Sequence, residues 1–275
     1  MQHCAGLTAT PYTVGMEQND SLPPSRPRPR GIYLLPNLFT TGALFGGFFS
    51  IIAASQDRFE AACVAIFISA VLDGLDGRVA RLTNTQSEFG VQYDSLSDLI
   101  SFGMAPAMLM YHWALLSMKQ DSLTLGKIGW LGAFLYAACA ALRLARFNSQ
   151  VGTVDKRWFI GLASPAAAGV VTSFVWVCHE FGYSGEDLRY AALAVTVCAG
   201  LLMVSRIRYN SFKGSGHGPK SDRVPFFMLV VAVAVLIALW VAPAVTLLIA
   251  TTLYALSGPL LWFRRRHLPM QDPAA

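Results

Sequence analysis

At 275 residues, 54% hydrophobic and only 13% charged, the chain is too apolar for an ordinary soluble domain, and its mean hydropathy of +0.47 says the same. The formal net charge of +5 requires no nucleic acid, because basic loops suit anionic lipid headgroups equally well. Five cysteines, Cys4, Cys63, Cys139, Cys178 and Cys198, lie without CxxC or His-Cys spacing, which argues against a disulfide framework or zinc site and for small packing residues.

Residues 1–30 hold Pro11, Pro23, Pro24, Pro27 and Pro29 and no apolar run of signal-peptide length, the pattern of a disordered tail. Met16 opens "MEQNDSLPPSRPRPR", a second plausible start that would make the first fifteen residues an upstream extension. Runs long enough to cross roughly 30 Å of hydrocarbon follow at 33–54, 59–81, 94–117, 128–147, 160–180, 188–205, 224–241 and 243–263. They are continuous, without the alternation of a barrel strand, so the backbone must satisfy itself as helix. The expected fold class is an all-α polytopic membrane protein, a bundle of about eight transmembrane helices.

The basic loop Arg206–Arg223 separates six spans, within 31–213, from a two-helix extension, 214–263, whose final pair of spans, 224–263, carries no Asp, Glu, His, Lys or Arg before Arg264 and reads as scaffold. Residues 264–275 form a basic tail. No internal repeat argues for an inverted-repeat transporter. All Lys and Arg except Arg58, Lys119, Lys127 and Arg189 fall on one side of these spans, which places both termini, and the loop between the second and third spans, in the cytoplasm. Trp113, Trp176 and Trp240 suit an interfacial aromatic belt, and His112 reads as a packed histidine with no acid at helical spacing.

That second loop and its flanks, "DGLDGRVARLTNTQSEFGVQYDSLSDLISFG", carry Asp73, Asp76, Asp94 and Asp98. Spacings of three and four residues put each pair on one helix face, and Gly77, Ala80 and Gly90 allow two helices to approach closely. Four carboxylates aimed at one point cannot all stay ionised without compensation. Hard oxygen donors with no His or Cys favour Mg²⁺ or Mn²⁺, one ion or two, and such ions suggest phosphate chemistry. Arg81 supplies a bidentate phosphate partner at the same surface. The plainer alternative is a solvated acidic turn paired to Arg78 and Arg81.

The arrangement D-x-x-D-G-x-x-A-R-x8-G-x3-D-x3-D, filled by Asp73, Asp76, Gly77, Ala80, Arg81, Gly90, Asp94 and Asp98, resembles the signature of the CDP-alcohol phosphotransferase family. The resemblance implies an integral membrane enzyme that moves a phosphatidyl-type group from a CDP-linked lipid to an alcohol and releases CMP. It implies a site for two metal ions held by Asp73, Asp76, Asp94 and Asp98, with Asp98 also the general base. It implies further a nucleotide site built from Asp73, Gly77, Ala80, Arg81 and Gly90, and a homodimer.

"LPNLFT", "DSLSDLISFGMAPA", "ALRLARFN", "FIGLASPAAAG" and "LMVSRIRYNSFK" together resemble the phosphatidylserine-forming branch, so CDP-diacylglycerol and L-serine are the expected substrates and the bacterial inner membrane the expected location, with the site facing the cytoplasm. Ala163 departs from the proline of that branch's "GLP", and Ser97 from a frequent cysteine. Serine needs a cation for its carboxylate, and Arg143, Arg146 and Asn148 are the candidates, although positive-inside anchoring would equally explain both arginines. Arg206, Arg208 and Lys213 suit serine or lipid phosphate, or the same anchoring. Glycerol 3-phosphate, an inositol phosphate or choline stays open as the acceptor. A divalent-cation transporter would instead repeat its acids at mid-membrane depth in several spans, and these spans are nearly acid-free.

Overall fold

The computed structural model describes residues 34–83, 87–149, 158–210 and 226–266. The expected tail at 1–30, Lys213, Lys220 and Arg223 of the basic loop, and the chain after Arg266 lie outside the described residues. Ten α-helices appear among the described residues: α1 (Leu34–Ser55), α2 (Phe59–Leu82), α3 (Glu88–Asp98), α4 (Ala105–Trp113), the single turn α5 (Met118–Asp121), α6 (Leu123–Ser149), α7 (Ser164–Glu180), α8 (Arg189–Val204), α9 (Phe226–Val241) and α10 (Pro243–Arg266). A two-stranded antiparallel ribbon pairs β1 (Trp158–Ile160) with β2 (Arg208–Asn210), Phe159 standing opposite Tyr209.

Three helices are long and apolar enough to cross a bilayer, within Pro36–Ser55, Leu123–Ser149 and Pro243–Trp262, and a fourth crossing exists if Glu88–Trp113 and Leu115–Asp121, bent by 50°, count as one. All eight expected segments are helical over most of their length. The difference in count has a compositional cause: α2 carries Glu60, Asp73, Asp76, Arg78 and Arg81, and α7 has only 17 residues.

The third segment differs most from expectation. Its helix begins at Glu88, six residues before the expected start, because Ser87 caps it by accepting the Gly90 N–H at 3.0 Å. A π-helical turn over Leu99–Met104 then joins α3 to α4, immediately after Asp98.

Helix α1 is the spine against which α2, α3, the π turn and α4 close. In hydrocarbon there is little hydrophobic drive between helices, so contact depends on small residues and shared hydrogen bonds. A Cβ on Gly46 would collide with the Ser69 side chain of α2, and one on Gly47 would stand 2.7 Å from the Ser101 Cα of the π turn. Ser69 Oγ and Ser101 Oγ both donate to the Ala43 carbonyl at 2.9 Å, which locks three segments together at one atom.

The second clasp lies at the ribbon. Gly161 has φ +85, donates its N–H to the Ile207 carbonyl at 2.9 Å, and leaves no room for a Cβ beside the Met203 carbonyl. Leu162 N–H donates to the Leu202 carbonyl at 3.0 Å, so the entry to α7 is pinned to the exit from α8. Gly161→Ala is therefore expected to destabilise the protein by about 2 kcal/mol or more, from the left-handed backbone and the collision together. Thermal unfolding in detergent reads this directly, and an unchanged Tm would contradict the clasp.

Ala163 follows with φ −62, the angle a proline ring imposes, so its departure from the branch pattern leaves the backbone path as proline would set it. Trp113 is not at a lipid interface: it is 7% exposed and meets Phe174 edge-on at 6.0 Å, whereas Trp240 is 90% exposed. His112 is half-buried, edge-on to Tyr111, and has Asp57 of the α1–α2 turn as an acidic neighbour that helical spacing does not reveal.

Candidate active site

Asp73 and Asp76 sit one turn apart in the second half of α2, and Asp94 and Asp98 one turn apart in α3. Because Ser87 starts α3 early, Asp94 stands inside a formed helix, where its direction is set by the backbone. One carboxylate oxygen from each of Asp73, Asp76 and Asp94 lies within 4.8 Å of the others. Asp73 is also within hydrogen-bonding reach of both Asp94 and Asp98, so it joins the two helices and brings the fourth carboxylate to the group.

Supports from other helices fix this geometry. Thr40 Oγ1 of α1 donates to Asp76 Oδ2 at 2.7 Å and lies 3.1 Å from the Pro36 carbonyl. Ser97, fully packed between Asp94 and Asp98, donates to the Thr40 carbonyl at 3.1 Å, and Tyr93 OH meets Thr41 Oγ1 at 2.9 Å. Asn148 Nδ2, at the end of α6, donates to Ser95 Oγ at 3.0 Å and so ties α6 to the residue beside Asp94.

The electrostatics are one-sided. Four carboxylates converge, and Arg143 of α6 is a cation in electrostatic reach of Asp98. Arg143 Nη1 donates to Ser164 Oγ at 2.6 Å, while its Nε is buried without a hydrogen-bond partner among the described residues. Asp94 Oδ1 is likewise buried with no hydrogen-bond partner among the described residues. A buried, undonated carboxylate oxygen within a set of hard oxygen ligands is what a divalent cation would satisfy. The Asp73, Asp76 and Asp94 cluster can hold a metal ion.

Beside it the surface is open. A Cβ placed on Gly77 or Gly74 would meet nothing within 4 Å, and Ala80 is half-buried next to them. Arg81 is exposed and donates from Nε to the Gly77 carbonyl at 2.7 Å. Gly90, in the first turn of α3, would place a Cβ 3.1 Å from Ser87 Oγ and 3.7 Å from Asn37 Oδ1 of α1. Of the three residues expected at the acceptor, Arg143 faces the carboxylates, Asn148 braces α3, and Arg146 is half-buried one turn on. Arg206 is exposed, and the side chain of Arg208 lies outside the described residues.

A model of the CDP-alcohol phosphatidyltransferase family matches residues 33–205, from α1 to the end of α8. The chain belongs to this family. Among CDP-alcohol phosphatidyltransferases it is 39% identical over 231 residues to the CDP-diacylglycerol–serine O-phosphatidyltransferase of Helicobacter pylori, a match that covers 84% of this chain and 92% of that relative. The enzyme of the same name from Methanocaldococcus jannaschii is 33% identical over 199 residues, 72% of this chain and 83% of the relative. The archaetidylserine synthase of Methanothermobacter thermautotrophicus is 34% identical over 184 residues, 66% and 72% of the two chains.

Thr40, Ser97 and Ser164 escaped the sequence reading as site residues, although each lies in a quoted segment. A hydroxyl in an apolar helix ordinarily bonds its own backbone four residues back. Only the assembled fold distinguishes Thr40, which also reaches Asp76.

Proposed function

We propose that this CDP-alcohol phosphatidyltransferase transfers the phosphatidyl group of CDP-diacylglycerol to the hydroxyl of L-serine, giving phosphatidylserine and CMP. The convergence of four aspartates on one face, with an undonated oxygen on Asp94, carries the chemistry. The relatives' names carry the acceptor: three of them, from a bacterium and two archaea, act to form a serine-linked lipid.

Asp73, Asp76 and Asp94 would hold Mg²⁺ or Mn²⁺, with Asp98 able to complete a second ion's site. When bound, such ions offset the negative charge of the pyrophosphate and of departing CMP. Gly77 and Ala80 leave space for the cytidine diphosphate beside Asp73, with Arg81 and Gly90 at its edges. Serine is held through its carboxylate by Arg143, with Arg146 and Asn148 at the same end of α6. Asp98 takes the proton from the serine hydroxyl as its oxygen attacks the lipid-side phosphorus. The bond from that phosphorus to the CMP oxygen breaks, and CMP leaves with the electron pair.

Eight crossings arrange the chain in the bacterial inner membrane: a six-helix catalytic unit, 31–213, followed by a two-helix extension, 214–263. The distribution of basic residues supports a cytoplasmic active site, where soluble serine and a membrane-held lipid meet. The family resemblance supports a homodimer.

CMP release by the purified protein, with Mg²⁺ or Mn²⁺ and CDP-diacylglycerol, tests the reading. Release is expected with serine and not with glycerol 3-phosphate, inositol phosphate or choline. Release with another acceptor would overturn the choice of serine, and no metal-dependent release with any would overturn the chemistry.

A further inference from the structure

We propose that the cleft at the end of the bundle away from the four aspartates, between the α1–α2 turn, the end of α4 and the α7–α8 loop, is a binding site for a primary ammonium group, carried by a small amine or by a lipid headgroup. Fourteen residues of α2 separate Phe59, at this cleft, from Asp73, which at the rise of a helix is about 21 Å. The cleft is therefore no part of the active site.

Its volume of about 410 Å³ falls in the range of small-molecule sites and is far more than a bare ion fills. Asp57 lines it from the α1–α2 turn, Glu186 from the α7–α8 loop, His112 and Trp113 from the end of α4, and Phe59 and His179 from the facing ends of α2 and α7. The backbone builds this shape. Asp57 adopts φ +58, in the left-handed region that aspartate tolerates better than most residues. Gly185 lies so close on the end of α4 that a Cβ would collide with the Trp113 carbonyl. Beside it the rim is clamped: Arg189 Nη2 donates to Asp121 Oδ1 at 2.8 Å, its Nε stands 2.8 Å from Oδ2, and its Nη1 donates to the Glu186 carbonyl at 2.9 Å. The His179 ring meets the Phe59 ring edge-on at 5.8 Å.

The lining chooses the sign of the ligand. No lysine or arginine among the described residues lines the cleft, so an anion finds no partner there. Neither Asp57 nor Glu186 is in an ion pair among the described residues, and Arg189, the cation at the Glu186 rim, is engaged by Asp121. Two carboxylates and two imidazoles offer acceptors, and the rings of Phe59 and Trp113 offer apolar surface and π faces, which together suit an organic cation that donates hydrogen bonds. A bare metal ion is better served elsewhere: among the described residues the side chains close enough together to hold one are Asp73, Asp76 and Asp94. A primary ammonium on a short carbon chain has three N–H donors for the acids and imidazoles and methylenes for the rings.

The test has two arms, both on the full chain with Mg²⁺ saturating the aspartate cluster. In detergent, 1,4-diaminobutane is titrated by calorimetry against butane-1,4-diol, its neutral counterpart. In nanodiscs, Tm is compared between phosphatidylethanolamine and phosphatidylcholine, whose trimethylated headgroup has no N–H to give. The expected result is saturable binding of the diamine and not the diol, or a higher Tm with phosphatidylethanolamine; the first marks a soluble amine as the ligand and the second a headgroup. Either effect should weaken at least tenfold in apparent affinity, or vanish, in Asp57→Asn and in Glu186→Gln. Asparagine tolerates the left-handed region as aspartate does, so Asp57→Asn should keep its Tm without ligand and its CMP release. No saturable diamine binding together with no difference between the lipids overturns the proposal. Effects equal in wild type and both variants overturn it as well, as does a Tm raised by Zn²⁺ through these residues and not by the amine.

Discussion

Asp98→Asn is expected to abolish turnover, with CMP release lowered at least 100-fold, while CDP-diacylglycerol still binds. Asparagine keeps the shape of the side chain and removes its capacity to take a proton, which is worth about 10²–10⁴-fold in a general base. Asp98 fits that task by position. It stands at the last residue of α3, in hydrogen-bonding reach of Asp73 and in electrostatic reach of Arg143. The π turn that follows, with Ser101 anchored to the Ala43 carbonyl, holds the end of α3 in place. Single-turnover CMP release together with binding of CDP-diacylglycerol separates the two roles. Near-normal release would remove Asp98 as the base, and loss of lipid-nucleotide binding would make it chiefly a ligand of the metal.

Asp94→Asn should have opposite effects with and without metal. In the metal-free protein Asp94 faces Asp73 and Asp76 with a buried oxygen that no described residue donates to, so neutralising it relieves like-charge repulsion and raises Tm. With Mn²⁺ or Mg²⁺ in hundredfold excess over its dissociation constant, the wild-type protein should gain about 2.7 kcal/mol, and the variant should gain little. Thermal unfolding with and without metal therefore gives crossing results: the variant melts above the wild type in chelator and below it in saturating metal. Parallel behaviour of the two proteins would mean that the cluster does not bind the ion through Asp94. No catalytic assay enters this test.

Much of the site was legible in the sequence because its chemistry is local. Asp73 with Asp76, and Asp94 with Asp98, are each a single helical turn, and their spacing states which face they share before any fold is known. Apolar runs marked the helices for the same reason. What escaped depends on distant partners. The start of α3 was misplaced because residues 88–93 are too polar to look like part of a span, although Ser87 supplies a cap that could have been read. The β ribbon pairs residues 158–160 with 208–210 across two intervening helices, and neither strand is long enough to signal itself.

The ribbon that clasps α7 to α8 also has a meaning in time. Protein chains are made from the amino end at about 5–20 residues per second, and the four aspartates are all in place by Asp98. Arg143, Ser164, which accepts its hydrogen bond, and Tyr209 of the strand that pairs with residues 158–160 emerge afterwards, in that order. Because Asn148 braces α3 only once α6 is made, and the ribbon closes only when residues 208–210 follow, a nascent chain completes these contacts only after most of the family-matched segment has emerged.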